Sequence, residues 1–329
     1  MKKRIFVLYT GGTIGMVQTA EGLSPDAVLV GQALQPFADQ AEFHWHVCSP
    51  LIDSSAVTLQ NWYDWLEIIR QNSVAYDGIL VLHGTDTMAY TANIFAMALA
   101  DNSKPIVLTG SQWPYNVNES DAPLNLATAV AAFELPLRGV SIAFNGVLMR
   151  AVGSSKISTQ TSAGFGNPHF GNLAKWSAQT GWQEWSNNCV IESLNIEQAP
   201  IINMNAKIVC HTLVPGFSCQ YVSDSLAAHS IDAVILQSYG HGNAPADAQF
   251  IHALELFCEQ GGLVLNISQV AQGCAAAVYA QGSALRKAGV INAGKCNLET
   301  ATALLTVAVS NGWNKNKLEA ILQQLELID

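Results

Sequence analysis

Short apolar runs that stop abruptly at glycine, threonine, serine or aspartate punctuate the first third of this chain. Ile5-Phe-Val-Leu-Tyr leads into Thr10-Gly-Gly-Thr-Ile-Gly15, Gly78-Ile-Leu-Val-Leu into His83-Gly-Thr-Asp-Thr87, and Ile106-Val-Leu into Thr109-Gly-Ser111. Runs of this length, bounded by turn-forming residues, read as buried strands. Between them the apolar period becomes helical. Residues 28–39 follow it, and Thr58 caps an amphipathic helix to about Asn72 with Leu59, Trp62, Leu66 and Ile69 on one face; 88–100 and 124–133 are further helices. With strands at 42–48, 78–82, 105–108 and 139–144, the repeated β-α-β order predicts an α/β fold with a mainly parallel sheet covered by helices. Ligands bind such sheets outside the carboxyl ends of the strands, so the three polar loops are expected to meet at one pocket.

Asn145-Gly146 between two apolar runs predicts a hairpin, 140–144 with 147–151, at one edge or end of the sheet. Residues 17–26, with Gly22 and Pro25 and no periodicity, read as a mobile loop beside the first strand. Residues 154–172 turn irregular, rich in Ser, Thr and Gly. A second series follows, with strands at 208–211, 233–237 and 262–267 and helices near 298–310 and 315–325. The expected organisation is a larger amino-terminal domain over 1–187, a linker over 188–206 and a smaller carboxy-terminal parallel-sheet domain over 207–329.

Composition narrows the function class. Of 329 residues, 50% are apolar and only 12% charged, which suits large cores. A net charge of −10 gives no basic face for the phosphates of a nucleic acid. The seven cysteines (48, 189, 210, 219, 258, 274 and 296) are scattered and form no C-x-x-C pair, which favours a reducing, cytoplasmic setting over a disulfide framework or zinc site. The apolar run behind Met1-Lys-Lys-Arg is too short for a signal peptide, and no apolar stretch reaches the ~18 residues of a membrane span. Residues 88–100 come nearest, bracketed by Asp86 and Asp101.

Four groups could carry chemistry. A threonine hydroxyl is a weak nucleophile that needs a base or polarising loop, and the glycine-rich turn around Thr13 can expose it beside backbone N–H groups; the same residue could equally be a plain turn cap. Thr85 and Asp86 supply a hydroxyl and a carboxylate at a helix start, where they also suit capping. Lys156, in Gly153-Ser-Ser-Lys-Ile-Ser158, could act as a base if buried beside them, or be a solvated loop lysine. Asp53-Ser54-Ser55 offers short polar groups for a substrate carboxylate, or a simple Asx turn. The glycine spacings match neither phosphate-loop pattern. His44 and His46 alternate on one strand without a third metal ligand nearby, and His241 lies in a strand-end loop.

Thr10-Gly-Gly-Thr-Ile-Gly-Met16, His83-Gly-Thr-Asp-Thr-Met88 and Thr109-Gly-Ser-Gln112 together resemble the bacterial-type L-asparaginases, the cytoplasmic (type I) group most nearly. Asp53-Ser-Ser55, Ser120-Asp121 with Asn125-Leu126, Lys156 and Ser238-Tyr-Gly-His-Gly-Asn-Ala-Pro245 extend the match across both halves. The resemblance implies two α/β domains and hydrolysis of L-asparagine to L-aspartate and ammonia without metal or cofactor. It implies Thr13 as nucleophile through an acyl-enzyme, with Thr85, Lys156 and Asp86 as a second hydroxyl–amine–carboxylate group. Ser54, with Asp53 and Ser55, would hold the substrate α-carboxylate, Asp86 the α-ammonium, and the Ser111 backbone the side-chain amide. Members usually assemble as homodimers or homotetramers, and Asn243 matches a position that in some members reaches a neighbouring subunit's site.

Two positions depart from the family pattern. Leu23 stands where many members carry a tyrosine on the loop after the first motif, and Gln237 where some carry a regulatory arginine. A glutaminase, an asparaginase-like subunit of tRNA-dependent amidation and a catalytically silent amino-acid-binding module are the competing readings; the acidic balance counts against the second.

Overall fold

A computed structural model describes residues 2–19, 22–25, 27–184, 194, 196, 199–228, 230–276 and 280–329. The chain divides into two compact units, residues 1–193 and 194–329. Of the expected linker, residues 188–193, 195, 197 and 198 lie outside the described residues.

The first unit runs β1 (Lys3–Gly11), β2 (Met16–Thr19), β3 (Gly22–Pro25), α1 (Ala27–Leu34), β4 (Ala41–Ile52), α2 (Leu59–Ser73), β5 (Gly78–Leu82), α3 (Met88–Ala98), β6 (Ile106–Thr109), α4 (Ala122–Ala132), β7 (Val140–Phe144) and β8 (Val147–Arg150). The short strands β9 (Ser155–Lys156), β10 (Phe165–Gly166), β11 (Ala174–Ser177) and β12 (Gly181–Gln183) complete it. Eight strands form one sheet in the order β12-β11-β8-β7-β6-β5-β1-β4. Its pairs from β4 to β7 are parallel, and those from β7 to β12 antiparallel. Local chemistry sets several boundaries: Thr58 caps α2 through a reciprocal bond with Asn61, and Asn145-Gly146 closes β7–β8 with both residues at positive φ.

Side-chain alternation divides the helices between the faces. Val7 and Tyr9 of β1 and Leu80 and Leu82 of β5 share a core with Val30, Ala33 and Leu34 of α1 and with Leu126, Ala129 and Val130 of α4. Helices α2 and α3 pack on each other and on the opposite face. The step from β1 to β4 runs one way along the sheet and later steps run the other way, so β1 and β5 flank a switch point where connections diverge. The crossover β6-α4-β7 moves in the same direction as β5-α3-β6 but over the opposite face. It therefore has the opposite hand to the other three crossovers, a rare exception to a right-handed rule that sterics otherwise enforce.

Three expectations need correction. The hairpin β7–β8 is not at the edge of the sheet, because Ala174 and Lys175 of β11 pair onto β8 and β12 adds a further strand; the tryptophans there pack as strand residues, with Trp176 opposite Trp182. Residues 16–19 and 22–25 pair as an antiparallel ribbon, Met16 opposite Pro25 and Val17 opposite Ser24; main-chain pairing does not need the apolar period that reading 17–26 as a loop relied on. Residues 20, 21 and 26 of that stretch lie outside the described residues. The irregular stretch 154–172 holds the small ribbon β9–β10, with Lys156 opposite Phe165.

The second unit contains β13 (Ile208–Thr212), α5 (Ser218–Ala228), β14 (Ala233–Ser238), α6 (Ala248–Glu259), β15 (Leu263–Ser268), α7 (Ala280–Lys287), β16 (Ile291–Asn292), α8 (Leu298–Ser310) and α9 (Lys315–Gln324). Its four strands are parallel, in sequence order, over a core of Val234, Leu236, Phe250, Leu254 and Val264. No helix among the described residues is long and apolar enough to cross a membrane.

The close approach of loops at the switch point predicts opposite effects for two glycines. A Cβ on Gly12, at φ 97°, would lie 2.5 Å from the Gly84 backbone, whereas one on Gly31 in α1 meets nothing within 4 Å. Gly12→Ala should destabilise by about 2–3 kcal/mol in urea titrations, and Gly31→Ala should stabilise by roughly 0.5–1 kcal/mol. Equal effects at the two sites would contradict the packing.

Candidate active site

Strand-end hydroxyls stitch the mouth of the large sheet together. Thr10 Oγ1 donates to the Leu82 carbonyl at 3.1 Å and Thr109 Oγ1 to the Ala143 carbonyl at 2.7 Å. The loops beyond them then touch. Gly12 packs on the Gly84 backbone, Gly84 on the Ser54 side chain and Gly110 on the His83 carbonyl. Thr13 and Thr85, each one residue past this glycine contact, open the two facing loops.

Lys156 reaches Thr85 from a distant part of the chain. Its Nζ lies 2.9 Å from Thr85 Oγ1 and 2.7 Å from Asp86 Oδ1. Thr85 is buried, the lysine side chain is only 18% exposed, and the Asp86 carboxylate stays 59% open to solvent. The turn before Lys156 is fixed by Asn93, whose Nδ2 donates to the Ala151 carbonyl, and by Asn167, whose Nδ2 donates to the carbonyls of Arg150 and Val152. A hydroxyl–amine–carboxylate group is thus assembled from two loops 70 residues apart in sequence.

The Asp53-Ser54-Ser55 turn divides its labour. The Asp53 carboxylate accepts from Ser55 N and Ser55 Oγ, both at 2.8 Å. These bonds, the backbone one first, hold its pKa below the usual carboxylate value. Ser54 is buried; its Oγ accepts from Asp86 N at 3.2 Å, and its carbonyl accepts from Thr87 Oγ1 at 2.7 Å. Thr13 is half-buried in a 3-10 turn, and its hydroxyl has no hydrogen-bond partner among the described residues. Ser111 is buried, with its hydroxyl on the Trp113 carbonyl at 2.5 Å.

Two polar networks under these loops were not assigned roles from sequence. His83 is fully buried: Nδ1 meets the Gly84 carbonyl at 2.7 Å and Nε2 meets Thr91 Oγ1 at 2.9 Å. Thr91 Oγ1 in turn accepts from Trp62 Nε1 at 3.0 Å. One proton assignment satisfies every group: Nδ1–H donates to Gly84, and the Thr91 hydroxyl donates to Nε2. Desolvation pushes the His83 pKa down to about 4, so the ring is a neutral strut. The second network centres on Asp121 and Asn125 at the start of α4, and it binds the loop after β6. Burial of a single histidine or aspartate leaves no periodic signal, so neither network could be read from residue order.

The remaining candidates lie elsewhere. His44, half-buried on β4, pairs with Glu42 at 2.8 Å, and no group of three metal-ligating residue types occurs among the described residues. In the second unit Gln237 accepts from Thr212 Oγ1 at 2.7 Å, His241 is exposed, and Asn243 bridges back to Tyr239.

Comparison with known proteins agrees with this geometry. Residues 4–188 match the family profile "Asparaginase, N-terminal", and residues 207–322 match "Glutaminase/Asparaginase C-terminal domain". The chain belongs to the asparaginase family. It is 32% identical to L-asparaginase 1 of Escherichia coli K12, over 98% of this chain and 96% of that protein. The crystal structure of L-asparaginase I from Vibrio cholerae superposes with a TM-score of 0.86 at 31% identity, covering 98% of this chain and 97% of the other. A structure from Campylobacter jejuni, described as "Probable Cytoplasmic L-asparaginase", matches at 0.81 and 25% identity, covering 98% and 99%.

The buried histidine predicts a pH signature. The unfolded chain protonates this imidazole near pH 6.5 and the native one only near about 4. The native state is therefore fully favoured above the unfolded value and loses stability as pH falls between the two, with on the order of 3 kcal/mol at stake. Thermal unfolding from pH 7 to 4.5 should show a smaller loss of Tm in His83→Gln than in the parent. Parallel curves would contradict a neutral buried ring.

Proposed function

We propose that this chain hydrolyses L-asparagine to L-aspartate and ammonia at the mouth of the eight-stranded sheet. The observation that carries the reading is Lys156 Nζ held between Thr85 Oγ1 and Asp86 Oδ1, opposite the glycine turn that presents Thr13. Thr13 Oγ attacks the side-chain amide carbon, forming a C–O bond as the C–N bond breaks. The nitrogen leaves as ammonia with the proton from the threonine hydroxyl. Water then attacks the acyl-enzyme, releasing aspartate and restoring the hydroxyl. Lys156 and Thr85, within hydrogen-bond distance, form the relay that exchanges a proton with this hydroxyl or the water. The sequence of steps balances without an added cofactor.

Substrate binding follows from the same groups. The open carboxylate of Asp86 suits an α-ammonium, and the buried Ser54 hydroxyl retains a proton to donate to an α-carboxylate. Asp53 and Ser55, bonded to each other, shape that turn. The Ser111 backbone takes the side-chain amide. The description of the Campylobacter jejuni structure as cytoplasmic supports cytoplasmic residence, and the family resemblance supports assembly as a homodimer or homotetramer with Asn243 near a neighbouring subunit's site. The carboxy-terminal profile also names glutaminase, which makes glutamine the competing substrate.

Thr13→Ala and Thr85→Val should each abolish detectable ammonia release with the circular dichroism spectrum unchanged. The double variant should be little worse than either, because groups acting as one unit give non-additive losses. Near-parental turnover by either single variant would remove that threonine from the mechanism. Asparagine should exceed glutamine in kcat/KM by at least roughly 10-fold, since one methylene between the Ser54 turn and the nucleophile is worth ~1–3 kcal/mol. Comparable values would favour a glutaminase.

A further inference from the structure

The loop after β6 is held by a buried carboxylate that acts only as an acceptor. Asp121 takes the Gln112 N–H at 3.1 Å on Oδ1 and 3.0 Å on Oδ2, and the Trp113 N–H at 3.1 Å on Oδ1. Asn125 Nδ2 donates to Asp121 Oδ2 and to the Gly110 carbonyl, both at 2.9 Å, while Asn125 Oδ1 accepts from Asn145 N at 2.7 Å. Both side chains are buried. This cluster anchors the start of the crossover whose hand differs from the others, so the chain's exit from β6 is set by the carboxylate.

The peptide joining Ser111 to Gln112 is trans. In a trans peptide the C=O and N–H point in opposite directions. With the Gln112 N–H turned onto Asp121, the Ser111 carbonyl is turned away from α4. No described residue donates a hydrogen bond to that carbonyl, although Ser111 is 1% exposed. Buried carbonyls are nearly always satisfied, and this one, uncommitted among the described residues and next to Gly110, which packs on His83 and Thr85, is available to an N–H of a ligand.

We infer that Asp121 is a positioning residue: by holding the Gln112 N–H it aims the Ser111 carbonyl at the –NH2 of the scissile amide, and so makes the site selective for amides over esters. The inference rests on the asparagine-hydrolysing reading of this site. A carbonyl can accept only from a substrate that carries N–H. The bond strengthens as the departing nitrogen gains a proton, so its effect falls on kcat more than on KM. An ester of the same shape offers an oxygen that the carbonyl repels.

The test compares L-asparagine with the β-methyl ester of L-aspartate, which releases methanol through the same acyl-enzyme. Asp121→Asn, which sets an NH2 donor where Oδ2 accepts from the Gln112 N–H and from Asn125 Nδ2, should lower kcat for asparagine by roughly 10- to 100-fold, the scale of one lost hydrogen bond. Ester turnover by the same sample should change by less than about 3-fold. Asp121→Ser is the second variant if the first does not fold, and residual ester turnover reports a folded site in either. Ser120→Ala, which removes a bond to the Trp113 carbonyl in the same loop, should leave the amide-to-ester ratio unchanged. Equal losses on both substrates, or no loss on either, would overturn the role assigned to Asp121. A parent protein that cleaves the ester but not the amide would overturn it as well. Failure of the parent on both substrates would instead sink the reading of the site on which the inference stands.

Discussion

Everything at the mouth of the large sheet depends on two backbones touching. Gly12 and Gly84 end adjacent strands at the switch point and approach so closely that a Cβ on either would fall inside a neighbour: 2.5 Å from the Gly84 Cα and N in one case, 2.5 Å from Ser54 Oγ in the other. This contact brings the turn carrying Thr13 against the loop carrying Thr85. It also clips the Ser54 turn under the Asp86 amide. Ordinary side chains at these places would separate the loops, because an interior at crystal-like density has no slack to absorb them.

Buried polar groups do the remaining alignment. Hydrophobic packing is non-directional and tolerates small shifts, whereas a hydrogen bond fixes both distance and angle. The His83–Thr91–Trp62 chain links the loop after β5 to both helices on one face, and its internal consistency needs a neutral imidazole. Asp121 and Asn125 do the equivalent work on the opposite face, tying the exit of β6 to the β7–β8 turn. Two fully satisfied networks thus hold the two sides of one crevice, which suits a site where small displacements are costly.

Function follows from how little of the site is left unsatisfied. Most polar atoms around the crevice are bonded to one another. The half-buried Thr13 hydroxyl, the outward side of the Asp86 carboxylate, the Ser54 proton and the Ser111 carbonyl remain for a ligand. On the proposed reading they would serve as a nucleophile, an acceptor for an ammonium, a donor for a carboxylate and an acceptor for an amide. That set complements an α-amino acid with a side-chain amide, and it does so with groups from four strand-end loops.

Much of this was determined by residue order alone. Apolar runs cut off by glycine and threonine place β1, β5 and β6, the Thr58–Asn61 capping pair starts α2, and Asn145-Gly146 turns β7 into β8, because each depends only on neighbours in the chain. The motifs around Thr13, Thr85 and Lys156 were legible for the same reason. Tertiary structure alone decided what those motifs touch. The β2–β3 ribbon pairs through main chain without an apolar period, and β11 and β12 extend the sheet past the hairpin. The hand of β6-α4-β7 is a property of the whole sheet, since it depends on which face a helix occupies. That Lys156 bonds Thr85, and that Asp121 accepts the Gln112 N–H, are matters of position in space. Local pattern carries propensity and period; the meeting of distant side chains is set by packing, which no short window of sequence contains.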